Sequence, residues 1–194
     1  MTQDIIHGDA LAIIKQMDDA SVDAVITDPP YDFSRELQGE YIQQFDRISR
    51  GHVIVFCSPE NHWEAPKYMF WVKPTSTKNF SKNHGRFVEM IAYYPREGAP
   101  FNQLFWANMT GVYNDIVEAK STQHPFQKPL ALMERLVRIH TNPGDIIIDP
   151  FAGSGTTLLA CSNHNRGYIG IDIEEENIVI MKERLGHEST GQKS

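Results

Sequence analysis

The chain alternates short runs of apolar and β-branched residues with segments of helical periodicity. The pattern predicts strands over residues 5–7, 23–27, 52–56, 87–94, 145–149 and 168–171. It predicts helices over 10–16, 36–49, 130–140, 156–163 and 174–185. The helix at 130–140 is the clearest, with Leu132, Leu136 and Ile139 at helical spacing. Such alternation favours an α/β fold: a mostly parallel sheet with helices on both faces. Residues 95–123 are weakly periodic and punctuated by Gly98, Pro100 and Gly111. They read as a small insert within a single domain spanning 1–186, followed by a polar, frayed tail at 187–194.

Two of the strands end on an aspartate. The stretch DAVITDPPYD runs through an apolar strand to Asp28, then two prolines, Pro29 and Pro30, then Tyr31. Proline holds φ near −65° and offers no backbone N–H, so a Pro-Pro pair ends the strand and stiffens the turn beyond it. The stretch GDIIIDPFAGSGTTLLA repeats the design, with a strand ending at Asp149, a loop carrying Gly153 and Gly155, and a helix near Thr156. Glycines let backbone approach a ligand closely, and the helix after the loop offers free N–H groups. In a doubly wound sheet, a loop of this kind marks a nucleotide-like cofactor site.

The loop lacks the lysine of a phosphate-binding P-loop, and its glycine spacing misses the dinucleotide fingerprint. After the next strand comes Asp172, in YIGIDIEEE, where a carboxylate can accept from a ribose diol. A glycine loop, no phosphate cradle and a diol-binding acid suit S-adenosylmethionine. The bland alternative is that the glycines only make a tight turn.

These residues carry a family resemblance. DPPY at 28–31 and DPFAGSGTT at 149–157 resemble the catalytic and cofactor motifs of the amino-group DNA methyltransferases. HGDAL at 7–11, WVKP at 71–74 and HPFQKP at 124–129 resemble further blocks of that family. The catalytic motif precedes the cofactor motif, the order of the β group. The resemblance implies a Rossmann-like, S-adenosylmethionine-dependent methyltransferase fold with a small target-recognition or dimerisation insert. It implies that Asp28 and the Pro29 carbonyl accept from a target amino group, that Pro30 stiffens them, and that Tyr31 stacks on the flipped base. It extends the cofactor site to Asp9, Asp28, Lys128, Asp149, Phe151, Gly153, Ser154, Gly155, Thr156 and Asp172, with His124 a weaker addition. Against these stand plainer roles: a helix cap for Asp9, core packing for Phe151 and Tyr31, a surface lysine for Lys128.

Composition supports this without deciding it. A hydrophobic share of 41% and a charged share of 22% are ordinary for a soluble domain, expected in the cytoplasm of a bacterium or a phage-infected host. No apolar run approaches the roughly 20 residues of a membrane span. Cys57 and Cys161 show no metal-type spacing and no activating neighbours, so neither a metal site nor a covalent thiolate route is expected. The net charge of −7 argues mildly against a polyanionic partner. Between positions 67 and 96, however, Lys67, Lys73, Lys78, Lys82, Arg86 and Arg96 face Glu89 alone. Lys78, Lys82, His84 and Arg86 form a candidate DNA-phosphate loop, or simply a solvated face. The aromatic residues Phe101, Phe105, Trp106 and Tyr113 in the insert point to a homodimer interface. An aspartate before the two prolines points, within the family, to adenine N6 in DNA as target. Cytosine N4, an RNA amino group and a non-catalytic nucleic-acid binder are the alternatives.

Overall fold

The computed structural model describes residues 1–73, 88–103, 111–114 and 127–186. In chain order these form β1 (Gln3–His7), α1 (Ala10–Ile14), β2 (Ala24–Thr27), α2 (Arg35–Ile48), β3 (Val53–Cys57), β4 (Lys67–Val72), β5 (Val88–Tyr94), β6 (Val112–Tyr113), α3 (Leu130–His140), β7 (Ile146–Asp149), α4 (Thr156–Asn163), β8 (Gly167–Asp172) and α5 (Glu175–Arg184). All eight strands join one sheet in the order β1-β8-β7-β2-β3-β5-β4-β6. β5 runs antiparallel to β3 and β4, and the other pairings are parallel.

The strands at the centre are buried on both faces, which explains their unbroken apolar character. In β3, Ile54 and Phe56 pack with Leu132, Leu136 and Leu158 from α3 and α4. The intervening Val53, Val55 and Cys57 pack on the other face with Ile14, Tyr41 and Phe45 from α1 and α2. Period-two alternation thus feeds two cores at once. Gly155, at φ 75°, opens α4; a Cβ there would lie 2.8 Å from Met181 Cγ.

From β2 the chain winds toward β3, and from β7 toward β8 on the opposite side. The adjacent carboxyl ends of β2 and β7 therefore flank the topological switch point, where open α/β sheets bind ligands. Asp28 follows β2 and Asp149 closes β7, so both acids singled out by sequence converge on this crevice.

The structure adds two strands that periodicity did not predict, β4 and β6. β6 falls inside the 95–123 insert and pairs with β4 through Phe70–Val112 and Trp71–Tyr113. Tyr113 is thereby buried in the sheet core. It cannot serve the open interface expected of it, because its ring already packs inside the subunit. The beginning of the insert is also anchored: the Asn102 amide donates to Arg138 O at 3.0 Å and Thr141 O at 2.8 Å. Phe101 is 48% exposed, with its ring edge against His140. Phe105, Trp106 and the tail lie outside the described residues.

Candidate active site

On the β7–β8 side, the loop after Asp149 is closed by its own hydrogen bonds. Asp149 is 3% exposed; it accepts from Thr27 Oγ1 at 2.7 Å, Thr157 Oγ1 at 2.5 Å and the Phe151 amide at 3.1 Å. Burial raises its carboxyl pKa to about 6 against the lowering effect of those donors. Asp149 therefore braces the ends of β2 and β7 to the loop, with its carboxylate occupied within the protein. Asp172 Oδ2 accepts from the Gly153 amide at 2.8 Å. Its Oδ1 accepts from the Glu174 amide at 2.9 Å and Asn177 Nδ2 at 3.0 Å. A carboxylate offers about four acceptor sites, so Asp172 keeps capacity for about one further donor. Arg184 reaches the loop from α5, donating to Ser154 O at 2.9 Å and Thr156 Oγ1 at 3.0 Å. Ser154 and Thr156 are buried and hold the loop to α5.

Phe151 is half-buried, its ring 5.3 Å from Tyr41 and 5.6 Å from Phe33. Phe33 in turn stacks on Tyr41 at 5.4 Å. Asp9 is exposed at the end of β1 and caps α1, accepting from the Ala12 amide at 2.8 Å. The plainer role foreseen for Asp9 is thus present; it occupies Oδ1.

On the β2 side, Asp28 sits in a charged network. Its Oδ2 pairs with Lys128 Nζ, and its Oδ1 accepts from Tyr31 OH at 2.9 Å. Glu89, on β5, joins both partners: its Oε2 lies 3.1 Å from Tyr31 OH and 3.3 Å from Lys128 Nζ. Its Oε1 pairs with Lys73 Nζ. The Lys128 ammonium also lies 5.2 Å from the Phe56 ring centroid and 5.8 Å from that of Tyr31.

Burial works against the charges of Lys128 and Glu89, yet the pairing prevails. Burial pulls the Lys128 pKa down, but the Asp28 and Glu89 carboxylates carry it above its usual value. Burial raises Glu89, but Lys128 and Lys73 hold it below the ordinary carboxylate range. Burial first, then Asp28 and Glu89, push Tyr31 far up, so its hydroxyl stays a donor.

The turn is held beyond its prolines. Asn61 Nδ2 donates to Tyr31 O at 2.8 Å and Phe33 O at 2.9 Å. Its Oδ1 accepts from Gln38 Nε2 at 3.0 Å. Asn61, Gln38, Glu89 and Lys73 were not singled out by sequence as site residues. Two signals existed: Lys73 falls in the WVKP block, and Glu89 is a lone carboxylate in the otherwise apolar strand VEMIAYY. Lys128, by contrast, is drawn into the site rather than left on the surface. Lys78, Lys82, His84, Arg86 and His124 lie outside the described residues. Among the described residues, no cluster of His, Cys, Asp and Glu suits a metal ion, and no helix is long and apolar enough to cross a membrane.

Comparison with known proteins identifies the family. The family profile of the N6/N4 enzymes, described as DNA methylase, matches residues 53–183. The chain belongs to this family of amino-group DNA methyltransferases. The DNA methyltransferase is 27% identical to type II methyltransferase M.HpaI of Haemophilus parainfluenzae, over 98% of this chain and 76% of that one. It is 26% identical to DNA adenine methyltransferase YhdJ of Escherichia coli K12, over 93% of this chain and 82% of the relative. The crystal structure of the M1.HpyAVI–SAM complex superimposes with a TM-score of 0.74 at 36% identity, covering 95% of this chain and all of that one. The cytosine-N4-specific PvuII methyltransferase reaches a TM-score of 0.79 at 14% identity, over the whole chain and 89% of that structure, and shares the fold.

Proposed function

We propose that the enzyme transfers the methyl group of S-adenosylmethionine to the N6 amino group of adenine in DNA, on a base turned out of the helix. The observation that carries this is the position of Asp28. Its carboxylate lies at the switch-point crevice, beside a glycine loop whose amides are locked to Asp149 and Asp172. The chemistry of the loop fits that cofactor. Asp172 accepts, Phe151 offers a ring, and the basic side chain bonded to the loop, Arg184, is engaged with Ser154 and Thr156. Such a set welcomes a cationic nucleoside and disfavours a polyphosphate.

When bound, S-adenosylmethionine supplies an electrophilic methyl group. The residues of this chain prepare the nucleophile. The amino nitrogen of adenine shares its lone pair with the ring. Acceptors at Asp28 and the Pro29 carbonyl draw on the two N–H bonds, turning the nitrogen toward a tetrahedral shape with its lone pair aimed at the methyl group. Because Pro29 and Pro30 stiffen the turn and Asn61 ties Tyr31 O and Phe33 O in place, little reorganisation accompanies transfer. The amine becomes acidic only once methylated, so Asp28 serves as an acceptor without needing to be a strong base. Tyr31, with its hydroxyl tied down, presents its ring to an extruded base. A route through a cysteine adduct is disfavoured: Cys57 and Cys161 are buried, and burial pushes both thiols up.

Adenine is favoured by the Asp-Pro-Pro-Tyr motif and by the adenine-methylating relative in Escherichia coli. Incubation with DNA or RNA and labelled S-adenosylmethionine, followed by nucleoside mass spectrometry, tests the assignment. N6-methyladenine in DNA is the expected product, and N4-methylcytosine would transfer the reading to cytosine with the same acceptors. We also propose a homodimer, to whose interface Phe101, 48% exposed, is available. Light scattering with and without DNA checks it, and a monomer throughout the micromolar range rules it out.

A further inference from the structure

Asp28 is not free in this structure. Each of its two partners, the Lys128 ammonium and the Tyr31 hydroxyl, also touches Glu89. Lys128 is 10% exposed and Glu89 13%, so neither has much water to turn to. These two donors fill about half of the acceptor sites of the Asp28 carboxylate, so a target amino group that donates to Asp28 competes with the Lys128 ammonium for its charge rather than for an empty position. Displacing an ammonium from its carboxylate in such a place is costly unless a second anion already holds it. Glu89 is that anion, and Lys73 on its other oxygen keeps the four charges balanced at two of each sign.

We propose that Glu89 is a positioning residue for methyl transfer: it retains Lys128 and Tyr31 OH while Asp28 turns to the substrate amine. Glu89 acts through its neighbours and touches no reacting atom. The proposal rests on the assignment of Asp28 as the acceptor. Without Glu89, Lys128 is left with Asp28 as its carboxylate partner and stays clamped on the acceptor the substrate needs. The lysines keep Glu89 ionised despite its burial, as this role requires.

The test uses E89Q, which keeps the shape and one acceptor oxygen but loses the charge. Single-turnover transfer at saturating S-adenosylmethionine should slow by about tenfold or more, the scale of a lost charged hydrogen bond, while cofactor affinity stays within about threefold. E89D should recover part of the rate. The double variant E89Q/K128M should be no slower than E89Q, because the clamp on Asp28 is then gone. It also removes one charge of each sign, so it provides a folded comparison if E89Q alone is unstable. A wild-type rate for E89Q, or losses in E89Q and K128M that multiply in the double variant, overturns the proposal. D28A measured alongside separates the failures. An active D28A removes the acceptor assignment and this proposal with it; an inactive D28A with normal E89Q removes only the role of Glu89.

Discussion

The two sides of the crevice are built on opposite principles. On the β7–β8 side, amides of Phe151, Ala152 and Gly153 bond to Asp149, Ile171 O and Asp172, and the charged groups serve as braces. One of these bonds spans two residues and the other two span nineteen, and together they close the loop on itself. On the β2 side, Asp28, Tyr31, Lys73, Glu89 and Lys128 come from four separate stretches of chain and satisfy one another through charge. On the proposed reading, a substrate amine that joins Asp28 has to share it with Lys128 and Tyr31. The proposed function thus sets a loop closed by backbone hydrogen bonds, on the cofactor side, against a charge network on the target side.

The largest expected effect separates the sides outright. D28A should lower the rate of methyl transfer at least about 100-fold, the scale seen when a preorganised polar group is removed from a reacting centre. Cofactor affinity should hardly move. D172A should do the reverse. It removes a charged acceptor and releases the Gly153 amide, so affinity should weaken by about 10- to 150-fold, or roughly 1.5–3 kcal/mol. Titration calorimetry with S-adenosylmethionine on both variants is the measurement. Wild-type affinity in D172A would mean that the cradle lies elsewhere.

The same contrast decides what could be read from the sequence. Strand–loop–helix alternation is local, so α3 and α4 occupy the predicted residues, and β2 and β7 begin within one residue of theirs. The glycine loop is local too, and its tie to Asp172 spans one helix. β4 escaped notice because its stretch, KYMFWV, opens on a lysine and leaves Phe70 37% exposed. It is held in the sheet by antiparallel pairing with β5 along its whole length. The charge network was illegible for a deeper reason. Lys73 reads as part of the WVKP block and of a basic run, and Glu89 as the lone acid within that run; only the sheet brings the two together beside Asp28. No spacing rule connects positions 28, 73, 89 and 128.

A smaller effect asks whether the cradle is preset. G155A places a Cβ at φ 75° and 2.8 Å from Met181 Cγ, and Met181 is fully buried. The left-handed conformation and the displaced methionine together should cost about 1–3 kcal/mol of stability. Denaturant unfolding with and without S-adenosylmethionine measures it. A preset loop predicts that both forms lose stability. Loss confined to the ligand-bound form would show that the loop takes this shape only around its guest.

The smallest effect lies in the Tyr31 hydroxyl. One O–H proton serves Asp28 Oδ1 at 2.9 Å and Glu89 Oε2 at 3.1 Å in turn, so Y31F removes the worth of one bond, not two. At about 1 kcal/mol, the expected loss in transfer rate is roughly fivefold. The loss should not vary with pH. Burial and the two carboxylates push the phenol upward, so it keeps its proton through the range of about pH 9–11 in which an unperturbed phenol ionises. Y31A removes the ring as well and should lose considerably more, since base–aromatic stacking is worth about 1–3 kcal/mol. Rates of the three proteins across that pH range carry the comparison. If Y31F falls as far as Y31A, the hydroxyl bond and not the ring face is what the target side requires, and the network rather than stacking sets the geometry of the flipped base.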